Sequence, residues 1–342
     1  MGKIYSLVIA IVLCSYTESY AQISSPKING QPVQVGIKFL VNEILEISTV
    51  EESFDIDGYL TLIWNDPKIA ELFPESQDKT MIIYMPNMVD SIFEHHLWHP
   101  NVEIMNSIGA RNISQKRIEL RGTQIVYVER FQTKVQTEMN FARFPFDEQT
   151  CSLVLESFGF NKNDFEFVNL PVDQLVVDDI ENDAWEFSTI ATEVYPFEYK
   201  NSISKKDNES IQFSRFKFSI HAARKSGYFI WQFFLPLFIL LVATWFIPAL
   251  WKTGSSHELI FTMLLASVMF GFYTSPFLPQ LSYNTFLEAT VIVTNGVVFS
   301  TLLLVLTRKN DASKVRFYCR IWFIPVMSIA AFVITSIYFF LV

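Results

Sequence analysis

The stretch Glu258-Leu-Ile-Phe-Thr-Met-Leu-Leu-Ala-Ser-Val-Met-Phe-Gly-Phe-Tyr-Thr-Ser-Pro276 joins one carboxylate to a long apolar run. Steps of four, three, four, three and four residues pick out Glu258, Thr262, Leu265, Met269, Phe272 and Pro276. That is the α-helical period, so these side chains share one face of a helix. The face is graded, from a carboxylate through a hydroxyl to purely apolar groups. An ionisable residue beside a membrane-spanning helix is costly unless it meets water or a partner, which makes Glu258 a functional candidate. The alternative is a carboxylate resting in the headgroup region without a role.

The rest of the C-terminal part is built in the same way. Tyr228 to Leu250 carries no charge, and Leu259 to Leu287 is uncharged but broken by Pro276 and Pro279. Ala289 to Thr307 and Ile321 to Val342 complete a set of four segments. Each exceeds or approaches the roughly 20 apolar residues that cross a hydrocarbon core. The expected helices are about 228–250, 257–277, 286–307 and 317–341. A hydrophobic fraction of 50% and an aromatic fraction of 15% fit a membrane protein, as does a mean hydropathy of +0.26.

At the N-terminus, Lys3, the apolar run Ile4 to Cys14 and Ser19-Tyr20-Ala21 predict a signal peptide over 1–21. Four spans then return the C-terminus to the N-terminal, extracellular side. Lys252 between the first two spans, and Arg308, Lys309, Lys314, Arg316 and Arg320 around the third linker, agree with a positive-inside topology. The expected location is the plasma membrane, or the inner membrane in a bacterial host.

Residues 22–224 alternate with period two. Val33, Val35, Ile37, Phe39 and Val41 share one side of a strand, and Phe54, Ile56, Gly58, Leu60, Leu62 and Trp64 share one side of another. Phe216, Phe218 and Ile220 alternate with Arg215, Lys217 and Ser219. Strands punctuated by Pro, Gly and Asn predict an immunoglobulin-like β-sandwich. The predicted fold class is therefore a β-sandwich extracellular domain over 22–224, followed by an all-α four-helix transmembrane domain over 225–342.

Cys14 leaves with the signal peptide and Cys319 belongs to the last span, so Cys151 is the one cysteine of the outer domain. A domain of this size can be stabilised by its core without a disulfide, and an unpaired cysteine on a strand reads as buried and inert. The net charge of -9 argues against a nucleic-acid partner. His95, His96 and His99, with Glu94 and Glu103, fit no zinc spacing, and Pro100 interrupts any helix that would align them. No metal or cofactor is expected. Without G-x-S-x-G, P-loop or H-E-x-x-H, the chain offers no catalytic constellation. Asn112-Ile113-Ser114 and Asn208-Glu209-Ser210 are glycosylation sequons.

This order of segments resembles a pentameric ligand-gated ion channel subunit. Trp64-Asn65-Asp66-Pro67 resembles the family's strand-end motif, and Phe144-Pro145-Phe146-Asp147, followed by Gln149 and Cys151, the tip of its signature loop. Arg224 ahead of the first span and Pro236 within it also fit. Phe272-Tyr273-Thr274-Ser275, Leu278-Pro279 and Tyr283 look most like amine-gated prokaryotic members. There are departures. Thr137 stands where the loop's second cysteine would be, the last linker is short, and Phe158 replaces the tryptophan of acetylcholine-type receptors.

The resemblance implies a homopentamer of this chain with further copies of itself, embedded in membrane lipids. A small extracellular agonist, with primary and aromatic amines as candidates, opens it to permeant cations. Pore positions would be Glu258, Thr262, Leu265, Met269 and Phe272. Ligand positions would be Tyr59, Glu103, Glu156, Phe158, Tyr195, Phe197, Tyr199 and Phe213, where aromatic faces and carboxylates suit an ammonium. Coupling would run through Asp55, Asp57, Phe146, Asp147, Arg224, Leu278, Pro279 and Tyr283, with Arg224 paired to one of the carboxylates. The alternative is a non-conducting or heteromeric subunit that binds ligand without forming a pore alone.

Overall fold

The computed structural model describes residues 23–170, 180, 182–200, 210–247, 256–307 and 323–341. The N-terminal part is a two-sheet sandwich. Its strands are β1 (Val33–Ser48), β2 (Ser53–Asn65), β3 (Met81–Ile83), β4 (Val102–Ile104), β5 (Asn112–Arg121), β6 (Gln124–Gln136), β7 (Glu148–Ser157), β8 (Phe165–Asn169), β9 (Trp185–Lys200) and β10 (Ser210–Arg224). One sheet has six strands in the order β3-β5-β6-β2-β1-β8, the other four in the order β4-β7-β10-β9. All neighbours pair antiparallel except β1 with β8.

Alternation decides which side chains enter the core, because successive Cβ atoms leave opposite faces of a strand. Val33, Val35, Ile37, Phe39 and Val41 are buried, as are Phe54, Ile56, Leu60, Leu62 and Trp64, and Phe216, Phe218 and Ile220. Gly58 keeps the register of β2 against β1: a Cβ there would lie 2.6 Å from Phe39 Cζ and 2.8 Å from the Leu40 carbonyl oxygen. Two short helices interrupt a part of the chain that the sequence pattern assigned to strands alone. They are α1 (Lys68–Leu72) and α2 (Pro86–His95). Pro86 sits at the start of α2, where a missing N–H costs nothing, and Val89 and Ile92 bury one turn apart.

Four further helices are long and apolar enough to cross a membrane: α3 (Gly227–Phe246), α4 (Ser256–Thr274), α5 (Phe286–Thr307) and α6 (Phe323–Leu341). A π-helical stretch, Ile230–Phe234, lies in α3 just before Pro236, which cannot donate to the preceding turn. A 3-10 turn, Ser275–Phe277, follows α4 and carries Pro276. The signal peptide, Lys252, the cationic linker from Arg308 to Arg320 with Cys319, and the Asn208 sequon lie outside the described residues. So do the expected ends of the first span, beyond 247, and the start of the last, before 323.

Candidate functional site

Most of the ligand candidates cluster on the outer face of the four-stranded sheet. Register places Phe213 opposite Phe197, Arg215 opposite Tyr195, and Glu156 between Arg215 and Glu103. Phe197 and Tyr199 meet edge to face at 4.9 Å, and Tyr199 and Phe213 at 5.4 Å. Glu156 is only 3% exposed. Its Oε1 accepts from the Tyr199 hydroxyl at 3.0 Å and its Oε2 from Arg215 Nε at 2.5 Å. Burial raises the Tyr199 phenol above its ordinary pKa, and the bond to Glu156 adds to this. Burial alone would lower Arg215, but the hydrogen bond and charge of Glu156 outweigh it and raise the guanidinium.

Arg215 was placed by alternation only as an outward residue, yet its guanidinium carbon lies 3.3 Å from the centre of the Phe197 ring. The signal was its shared parity with Phe213. What was missing was the β9–β10 register that brings Phe197 and Tyr199 around it. Glu103 is exposed beside the cluster, and Phe158 projects from the strand end with 82% of its surface exposed. Tyr195 is half-buried on the same face as Phe197.

Tyr59 is elsewhere. It lies on the outer face of the six-stranded sheet, opposite Arg130, whose guanidinium is 5.7 Å from its ring centre. A cavity of about 410 Å³ there is lined by Tyr59, Tyr84, Lys116, Arg117 and Arg130 among others. Arg130 is held by Asp57, with Nε 3.1 Å from Oδ1. The two groups lie on opposite sheets, and one chain does not bring Tyr59 to the Glu156 cluster. Pattern reading did not single out Tyr84, Arg117 or Arg130, which lie on three separate segments.

A second cluster forms where the sandwich meets the helices. Arg224, the last residue of β10, bonds Asp147 through two nitrogens, Nε to Oδ1 at 2.8 Å and Nη2 to Oδ2 at 3.0 Å. Trp185 and Phe144 cover the guanidinium at 4.1 and 4.9 Å. Phe146 leans on Phe234, Phe286 and Phe340 at about 6 Å between ring centres. The Phe286 and Leu287 amides donate to the Ala142 and Phe144 carbonyls, and Phe141 N–H donates to the Tyr283 hydroxyl at 3.0 Å. Leu278 joins the same buried apolar cluster as the sandwich core, and Pro279 is half-buried.

Asp55 and Asp57 do not belong to this contact. Both lie within strand β2, where Asp55 faces Lys134 and Asp57 binds Arg130. The turn between β1 and β2 comes earlier, and its Thr49 hydroxyl donates to the Phe277 carbonyl at 3.2 Å. The resemblance put both aspartates at the contact, but β2 runs through them. Asp57 is tied to Arg130, while Lys134 pairs with Glu51 and leaves Asp55 Oδ1 buried without a hydrogen-bond partner.

The signature-like loop is closed without a disulfide. Thr137 Oγ1 donates to the Thr150 carbonyl at 3.1 Å, beside the position that a second cysteine would bridge. Gln149 ties across the loop to the Asn140 carbonyl at 2.8 Å and to Asp147 Oδ2 at 2.6 Å. Cys151 is fully buried, and burial pushes its thiol up to about 12. His99, apart from any metal role, packs against Phe93 and Tyr127 at 4.8 and 4.9 Å, and burial drives its pKa down to about 3.

The third group is the stripe on α4. Ser256, Ile260, Ser267 and Thr274 are its buried face, and Ile260 packs with Val298, Leu302 and Val305 of α5. Glu258, Thr262, Leu265, Met269, Phe272 and Pro276 are all exposed. Exposure reaches 65% at Leu265, 57% at Met269 and 70% at Phe272. The stripe thus turns away from the chain's own bundle.

A family model described as the neurotransmitter-gated ion-channel ligand binding domain matches residues 12–226, beginning inside the expected leader. The gamma-aminobutyric acid receptor subunit beta of Lymnaea stagnalis is 25% identical over 291 residues. That alignment covers 81% of this chain and 56% of the relative, so the chain spans little more than half the relative's length.

Proposed function

The chain belongs to the family of pentameric neurotransmitter-gated ion channels, and on that premise we propose that it is a subunit of a homopentameric, ligand-gated cation channel. Residues 22–224 are the extracellular ligand-binding domain and 225–342 the membrane domain, with both termini outside. Membership in a family of channels, not enzymes, sets catalysis aside. The observation that carries the pore reading is the uncovered face of α4 from Glu258 to Phe272. Bare apolar side chains alone would suit lipid, as those of Phe238 in α3 and Ile334 in α6 do. The α4 face also carries the Glu258 carboxylate, with Thr262 one turn on. Lipid leaves that charge unsatisfied, and a water-filled axis between copies of the helix solvates it. A ring of Glu258 carboxylates then favours cations, and rings of Leu265, Met269 and Phe272 form an apolar constriction that gates by dewetting.

The two groups on opposite sheets support a ligand pocket between neighbouring subunits. The Glu156 cluster of one chain would face the Tyr59 cavity of the next. Aromatic rings with a carboxylate suit a small amine, and the relative in Lymnaea stagnalis is named for a ligand with an amino group. Movement at this site would reach α4 through Arg224–Asp147, Phe146 and the Thr49 turn.

A second reading draws on that relative being one named subunit of a receptor. In it this chain binds ligand but conducts only beside other chains. Recording from membranes that contain this chain alone, during application of small amines, separates the two. Amine-evoked current supports the homomeric channel, and surface-expressed chain that binds amine silently supports the second reading.

A further inference from the structure

Glu156 is the carboxylate on which the amine reading rests, and it is already engaged. Arg215 Nε donates to its Oε2 at 2.5 Å, and Arg215 Nη2 donates to the Tyr199 hydroxyl at 2.8 Å. The guanidinium lies 3.3 Å from the Phe197 ring centre and 5.6 Å from that of Tyr199. The pair is largely withdrawn from water, with side chains 13% and 4% exposed. Carboxylate, ring face and phenol oxygen are the groups that an incoming ammonium would use, and a guanidinium of the same chain uses all of them. Arginine suits such a place, because its plane stacks on a ring while its edge bonds a carboxylate.

We propose that Arg215 is a tethered cation occupying the amine site of its own chain, and that a cationic ligand binds by displacing it. The proposal rests on the amine reading above and narrows the ligand class to compact ammonium ions that can take Glu156 and the Phe197 face from a guanidinium. Arg215 lies on an outward row of β10, between Phe213 and Lys217, so its long stem can swing off the sheet without disturbing the core. Glu103, the exposed cross-strand neighbour of Glu156, offers a second carboxylate to the displaced guanidinium. A tethered competitor is present at a fixed, high effective concentration, so it lowers the apparent affinity of every free cation that shares its site.

The test is calorimetric titration of the purified full-length chain with ethylammonium, comparing wild type with Arg215→Met, which keeps an apolar stem and removes the charge. Ethylammonium should bind Arg215→Met at least about tenfold more tightly, equivalent to about 1.4 kcal/mol. Methylguanidinium, which refills the vacated place, should compete with it in that variant. Equal affinity in the two proteins would overturn the proposal and leave the amine reading standing. Weaker binding to the variant would also overturn it, by making Arg215 a ligand contact. Ethylammonium binding to neither protein would sink the amine reading and the proposal together. If Arg215→Met fails to assemble, Arg215→Gln replaces it, because it keeps a polar stem and removes the charge. No gain in ethylammonium affinity there counts against the proposal.

Discussion

Arg224 and Asp147 meet in a two-bond ion pair, with side chains only 6% and 2% exposed, at the junction of the sandwich and the helices. Removing one partner of such a buried pair strands the other charge, at a cost of about 3–5 kcal/mol. Arg224→Ala should therefore reduce the amount of assembled protein at the surface. Asp147→Asn keeps the shape and one acceptor, so assembly should survive while ligand-evoked current falls and ligand binding persists. Surface labelling, binding and current measured on the same cells check this. Full current from Asp147→Asn would remove the pair from the coupling route.

Leu265 is large, apolar and 65% exposed on the uncovered face of α4. Replacing it with Ser lets water wet the constriction and lowers the barrier to opening. A change of about 1.4 kcal/mol shifts the open-to-closed ratio about tenfold. Leu265→Ser should raise spontaneous opening or move the concentration–response curve to lower ligand by about that factor. An unaltered curve with no spontaneous current would mean that Leu265 does not line the gate.

His99 accepts the Asn101 N–H on Nδ1 at 3.0 Å, while its Nε2 is shut away without a partner. Burial is the main cause of its low pKa of about 3, with the Arg111 and Lys116 charges adding and Asp90 opposing. The unfolded chain, with an ordinary histidine near 6.5, binds more protons between those values. Stability from this group is therefore lost as pH falls from about 6.5 towards 3, and changes no further below that. Thermal denaturation at pH 7 and pH 5 should show a smaller difference in His99→Phe than in wild type. An equal difference would place the acid sensitivity elsewhere.

Cys151 lies on β7 with its thiol pushed up to about 12 by burial, next to a loop closed by Thr137 and Gln149 hydrogen bonds. Cys151→Ser should assemble like wild type, and reducing agent should change neither. Maleimide labelling at pH 7.5 that is lost in Cys151→Ser, and so belongs to Cys151, should appear only after denaturation. Loss of assembly on reduction would reveal a bridge between subunits.

The strand faces were legible because period-two alternation translates directly into burial, as Val33 to Val41 and Phe54 to Trp64 demonstrate. The helices were legible because an uninterrupted apolar run has few other uses. A carboxylate partner for Arg224 was implied by the family resemblance with Asp55, Asp57 and Asp147 all open, and the structure pairs it with Asp147. Pairings that depend on register were not legible. Nothing local tells that Phe197 and Tyr199 fold over Arg215, or that Arg130 lies against Tyr59. The contact with the helices was read several residues too far along, at Asp55 and Asp57 instead of the turn at Thr49, because the register that sets Asp57 against Arg130, about 75 residues away in sequence, is not local information.

The most direct measurement is the reversal potential of ligand-evoked current through bilayers containing this chain alone, under a salt gradient, with Glu258→Gln alongside. The account predicts current that reverses near the cation equilibrium potential, and lower unitary conductance or a weaker cation preference in Glu258→Gln. Reversal at the anion equilibrium potential, or identical conductance and selectivity in the two proteins, would contradict it.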